Sequence, residues 1–135
     1  LKLGLARGYR DFVMVAAFGG RLDHTIANLQ ALVFLCENGA RGTILSNDNQ
    51  AWAVRNGAIE IERMDGWHLS VFAADGPCEG VTLEHVAYPL RDAVLTPSFP
   101  IGVSNEFCGE AARISVKRGT LLIVASKERL QNPAG

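Results

Sequence analysis

Apolar positions along this chain keep two different rhythms. Between residues 11 and 47 they come in long blocks: an unbroken run over 12–18, a spaced series at Leu22, Ile26, Leu29, Val33 and Cys36, and a short run over 42–46. Steps of four and three follow one face of a helix, while short continuous runs suit buried strands. Ala27, Leu32 and Phe34 widen the helical stripe, so a helix covered on more than one side is expected. Asn38-Gly39 supplies its stop. Strand, helix and strand in this order form a βαβ unit, and the crossover implies a parallel sheet. One unit cannot cover both faces of such a sheet, so further partners are expected before Leu1.

After residue 47 the pattern shortens and alternates. Strand-like runs are expected at 51–54, 58–61, 67–73, 80–83, 93–96, 112–116 and 121–125. Asn56-Gly57 predicts a hairpin between the first two, Asp75-Gly76-Pro77 a break, and Lys117-Arg118-Gly119 a further turn. Many short strands without a helical period read as an antiparallel sandwich or barrel. The fold class is therefore α/β plus all-β. A βαβ remnant of a Rossmann-like nucleotide-binding domain, residues 1–48, leads into an antiparallel β-sandwich, residues 49–135.

Composition narrows the function. With 13 Lys and Arg against 14 Asp and Glu there is no basic stripe for nucleic acid, and no apolar run reaches the roughly 20 residues that span a membrane. Cys36, Cys78 and Cys108 are odd in number and widely spaced, which fits buried free thiols of a reducing, cytoplasmic compartment better than disulfides or a zinc motif. His24, His68 and His85 lack ligand spacing, so no metal site is expected from these residues. Trp52, Trp67 and Tyr88 are candidates for stacking on a ring, with core packing the simpler role for each.

The densest chemistry lies at Gly19-Gly20-Arg21-Leu22-Asp23-His24, where the apolar strand gives way to the helix. Paired glycines permit a sharp turn and a close approach to the backbone, and the first helical amides face an anion. Arg21 is either a solvent-facing cation or a clamp on phosphate oxygens. Asp23 either satisfies the helix start or orients a hydroxyl, and His24 either caps the turn or donates to a phosphate or ribose oxygen. Asn28, one turn on, shares that face or steadies the helix. Ser104, Asn105 and Phe107 form a second polar-aromatic cluster, after a glycine-bearing turn.

The string GGRLDHTIANL resembles the signature of thiamine pyrophosphokinases. Gly102-Val103-Ser104-Asn105-Glu106-Phe107 with Ala112-Arg113-Ile114-Ser115-Val116 is similar to the family's C-terminal segment, and 80–84 and 88–93 are similar to its middle strands. The resemblance implies pyrophosphoryl transfer from ATP to the hydroxyl of thiamine. It implies Asp23 as the catalytic carboxylate and a thiamine contact, Gly19, Gly20, Arg21 and His24 at the nucleotide, and Ser104, Asn105 and Phe107 at thiamine. It further implies Mg2+ as cofactor, ATP as co-substrate, and a homodimer whose thiamine pocket is shared between subunits. The acidic Asp-x-Asp-Ser and Lys-Asp-x-Thr-Asp blocks associated with magnesium in the family do not occur here, and Leu1 to Gly8 read as the tail of a helix already under way. An N-terminally truncated enzyme is therefore expected. The competing reading is a non-catalytic β-rich module for dimerisation or small-ligand binding.

Overall fold

The computed structural model describes residues 1–15, 21–99 and 101–127. A short helix, α1 (Lys2–Ala6), precedes β1 (Asp11–Val15), α2 (Leu22–Glu37) and β2 (Arg41–Leu45). β1 and β2 pair in parallel, from Asp11 with Arg41 to Val15 with Leu45, and α2 crosses over between them. Eight further strands follow: β3 (Asn49–Arg55), β4 (Ala58–Ile61), β5 (Trp67–Ala73), β6 (Cys78–Glu84), β7 (Leu90–Leu95), β8 (Gly102–Glu106), β9 (Ala112–Ser115) and β10 (Thr120–Lys127). They complete a six-stranded sheet ordered β1-β2-β3-β10-β5-β8 and form a four-stranded one ordered β4-β9-β6-β7. β3 pairs antiparallel with β2, from Thr43 with Trp52 to Leu45 with Gln50, so one sheet runs through the point where the sequence changes texture.

Side-chain alternation explains three layers. Leu69, Val71, Leu121, Ile123 and Ala125 meet Ile61, Val81, Leu83, Leu95, Ala112 and Ile114 of the smaller sheet in the main core. The opposite face of the large sheet, through Ile44, Ala51, Ala53, Leu122 and Val124, packs on Leu29 and Leu32 of α2. β10 therefore buries both its faces, which is why Leu121-Leu122-Ile123-Val124-Ala125 is apolar without alternation. Among the described residues no helix is long and apolar enough to cross a membrane.

Three expectations are corrected. Arg55-Asn56-Gly57 does not close a hairpin: β3 lies in the large sheet and β4 in the small one. Asn56, at φ 46, turns a corner between sheets. Its N–H donates to the Gly119 carbonyl at 3.1 Å and its Oδ1 accepts from the Gly119 N–H at 2.8 Å. Residues 117–119 form the matching corner from β9 to β10, and the two corners brace each other. The helix face is also rotated from the predicted one: Leu32 and Leu35 are buried, whereas Leu22 is 73% and Ile26 48% exposed. Gly42 decides this, because a Cβ there would lie 2.7 Å from Leu35 and 2.9 Å from Leu32 side-chain carbons, so the helix settles where β2 has no side chain. Finally, 102–106, expected as a turn at a strand entry, is an edge strand along its whole length.

Candidate functional site

α2 starts without a side-chain cap. Arg21 is the N-cap residue in extended conformation, and its carbonyl accepts the Thr25 N–H at 3.3 Å. Asp23 lies inside the first turn and is not the cap. Its Oδ1 accepts the N–H of His24 at 3.0 Å, and its Oδ2 accepts from Arg21 Nη2 at 2.6 Å. Both side chains of this pair are largely exposed, at 72% for Arg21 and 59% for Asp23. An exposed pair of this kind exchanges partners at little cost, so either group is available to a ligand. Asp23 also complements the positive end of the helix. His24 is exposed and Asn28 half-buried on the same helix. Gly19 and Gly20, expected at the nucleotide, lie outside the described residues, as do Ala16, Ala17 and Phe18 at the end of the predicted strand.

The second cluster is built differently. Asn105 is 3% exposed, and its amide is occupied within the chain. Nδ2 donates to the Tyr88 carbonyl at 2.7 Å, while Oδ1 accepts the N–H groups of Tyr88 at 2.9 Å and Glu106 at 3.0 Å. The side chain thus behaves as one extra rung that ties the loop before β7 to β8. Tyr88 itself is 67% exposed, contrary to its expected core role, whereas Trp52 and Trp67 do pack on the main core. Ser104 is exposed beside Asn105. Phe107 packs on the core and also lines a cleft of about 270 Å³ with Arg63, Trp67, His68 and Glu106.

Asn105→Ala strips the Tyr88 backbone of both its partners and leaves part-buried polar groups to find water instead. We expect it to lower unfolding free energy by about 1–3 kcal/mol in chemical denaturation. An unchanged denaturation midpoint would show that the rung carries no load.

The two clusters stand far apart in the fold. β1 and β8 are the opposite edges of the large sheet, five strand spacings apart, which is about 24 Å at the usual inter-strand distance. The helix carrying Arg21, Asp23 and His24 packs over β2, β3 and β10. A wider groove of about 620 Å³, lined in part by Cys36, Arg41, Arg55 and Glu60, opens at the start of β2, at the opposite end of the strand pair from Val15.

Burial pushes the Cys78 and Cys36 thiols up, opposed at Cys36 by the nearby Arg55 charge. A hydrogen bond with Asp75 raises Glu37. Of the three cysteines expected to be buried, Cys78 is, Cys36 is half-buried, and Cys108 is exposed.

Residues 58–121 match the family model described as thiamin pyrophosphokinase, vitamin B1 binding domain, a stretch that contains Ser104, Asn105 and Phe107. The crystal structure of a thiamine pyrophosphokinase from Bacillus subtilis superposes with a TM-score of 0.86 at 21% identity, covering 95% of this chain and 61% of that one. The chain has the fold of the thiamine pyrophosphokinases. A thiamin pyrophosphokinase structure from Geobacillus thermodenitrificans gives 0.80 at 20% identity, covering 94% of this chain and 59% of its own. In sequence, thiamine pyrophosphokinase of Bacillus subtilis (strain 168) is 23% identical over 111 residues, 82% of this chain and 52% of the relative. The chain thus spans about half the length of that thiamine pyrophosphokinase.

Proposed function

We propose that this chain is part of a thiamine pyrophosphokinase that transfers the pyrophosphoryl group of ATP to the thiamine hydroxyl, yielding thiamine diphosphate and AMP. Residues 1–48 supply the end of the nucleotide-binding α/β unit, and 49–135 the thiamine-binding β-sandwich. The observation that carries this reading is the match to a vitamin B1 binding domain over 58–121, in a chain whose preceding βαβ unit presents Arg21 and Asp23 at a helix start.

In this reading the hydroxyl oxygen of thiamine attacks the β-phosphorus of ATP, and AMP leaves. Asp23 orients that hydroxyl and receives its proton. Arg21 releases Asp23 and turns its guanidinium onto phosphate oxygens, whose charge it offsets. Ligands in this position, outside the carboxyl ends of parallel strands, are where α/β sheets bind nucleotides. Ser104 meets thiamine, Asn105 shapes that wall through Tyr88, and Phe107 contributes an aromatic surface.

Magnesium, when bound, supplies charge neutralisation at the phosphates. Among the described residues no three His, Cys, Asp or Glu side chains gather to share a metal ion, so the residues described do not by themselves fit one. The separation of the two clusters favours a homodimer, in which the Asp23 end of one subunit faces the Ser104 edge of the other. Tyr88, Val94, Phe99, Ile101 and Val103 are all more than 40% exposed on and around the β7 and β8 edges, which suits such a contact.

The test is product formation. The full-length enzyme should convert thiamine and MgATP to thiamine diphosphate and AMP, whereas the 135-residue chain alone should yield none. No product from the full-length enzyme overturns the assignment. Product from the chain alone overturns the placement of the triphosphate and magnesium groups outside it.

A further inference from the structure

Ser104 adopts φ 60 within an edge strand, a left-handed conformation that side chains with a Cβ avoid. The pairing of β8 with β5 explains how it arises. Leu69 faces Asn105 and Val71 faces Gly102, so Val103 and Ser104 together oppose the single residue Ser70. This is a β-bulge, with one residue more on β8 than the ladder can pair. The Ser104 N–H donates instead to Ser70 Oγ at 3.0 Å.

Both neighbours of the bulge are pinned. A Cβ on Gly102 would fall 2.8 Å from the Val71 carbonyl oxygen, so β8 approaches β5 closely there. On the other side Asn105 is tied to Tyr88 through two hydrogen bonds. Ser70 itself is not needed by the main core: Leu69 and Val71, which flank it, point inward and are buried, while Ser70 lies on the other face of β5 and is half-buried. A hydroxyl at this place has one visible task, to receive the displaced amide.

We infer that Ser70 is a positioning residue for thiamine: its hydroxyl holds the Ser104 bulge in the left-handed form, and so keeps the exposed Ser104 side chain in the orientation the substrate meets. This rests on the reading of Ser104 as a thiamine contact, and the experiment separates the two. In the full-length enzyme, Ser70→Ala, Ser70→Thr and Ser104→Ala are compared for amide exchange at Ser104 by NMR, for KM of thiamine and ATP, and for kcat.

Ser70→Ala should speed exchange of the Ser104 amide at least tenfold and raise the thiamine KM by about fivefold, the scale of one lost hydrogen bond. The ATP KM and kcat should stay within about twofold, since binding rather than chemistry is affected. Ser70→Thr, which keeps the oxygen, should restore both. If Ser70→Ala does not fold, Ser70→Cys keeps the side-chain shape, slightly enlarged, while weakening the acceptor, and takes its place. Unchanged Ser104 exchange overturns the proposal, as does faster exchange with an unchanged thiamine KM while Ser104→Ala raises it. Parallel losses for thiamine and ATP would mark a general structural role and overturn it too. If Ser104→Ala also leaves the thiamine KM alone, the thiamine contact itself is wrong and the positioning role falls with it.

Discussion

In the proposed thiamine pyrophosphokinase, Asp23→Asn should lower the rate of thiamine diphosphate formation by about 10² or more while leaving the fold intact. The geometry makes this substitution unusually clean. An Asn oxygen can still accept the His24 N–H that Asp23 accepts at 3.0 Å, so the helix start keeps its local bond. What disappears is the charge, and with it the pairing to Arg21. Since that pair is largely exposed, its loss contributes little to stability. A carboxylate that orients or deprotonates the acceptor hydroxyl has no such substitute. Single-turnover rates and a denaturation curve measured side by side decide the matter. Near-normal turnover would reduce Asp23 to a helix-start acid.

If the proposed homodimer shares its pockets, mixing two defective subunits should restore activity towards half of normal. One subunit carries Asp23→Asn and the other Ser104→Lys, the latter placing a long cationic side chain where the cationic thiamine is proposed to bind. Each homodimer has two damaged sites. Because the two positions belong to opposite sides of the fold, with β1 and β8 as the edges of one six-stranded sheet, a shared pocket would take Asp23 from one subunit and Ser104 from its partner. In the heterodimer both lesions then fall in one pocket and the other is intact. Isolated, tag-selected heterodimers that remain as inactive as either parent would place both residues in a pocket made by one chain.

Elements with a plain period were readable in the sequence. The runs at 58–61 and 67–73 coincide with β4 and β5, because each has one face in the core and neither contains a bulge. β8 escaped notice for the opposite reasons. Its bulge breaks the alternation at Ser104, and its most buried side chain is the polar Asn105, whose bond to the Tyr88 carbonyl spans 17 residues of sequence. Local spacing carries no trace of that bond. The Asn56-Gly57 signal marked a turn, but one that changes sheet instead of closing a hairpin, since its deciding partner, Gly119, is 63 residues distant. Arg21 and Asp23 were legible as a pair of chemical groups at a helix start. That Asp23 sits beyond the cap, bonded to Arg21, required the coordinates.

The order of strands has a consequence for how the chain is made. Among the described residues β10 is the last strand in sequence, yet it lies in the interior of the large sheet, pairing with β3 over Asn49–Arg55 on one side and with β5 over Trp67–Ala73 on the other. Its residues also supply Leu121, Ile123 and Ala125 to the main core. Until a ribosome has released this segment, β3 and β5 have no neighbour between them and the two layers have nothing to close on. Closure of the two layers must then wait until this segment has emerged, and it proceeds through contacts such as Ser126 with Asn49, separated by 77 residues. Long-range closure of this kind is slow. A nascent chain stalled before Thr120 would therefore expose its unfinished edges to chaperones, whatever the quality of the strands already made.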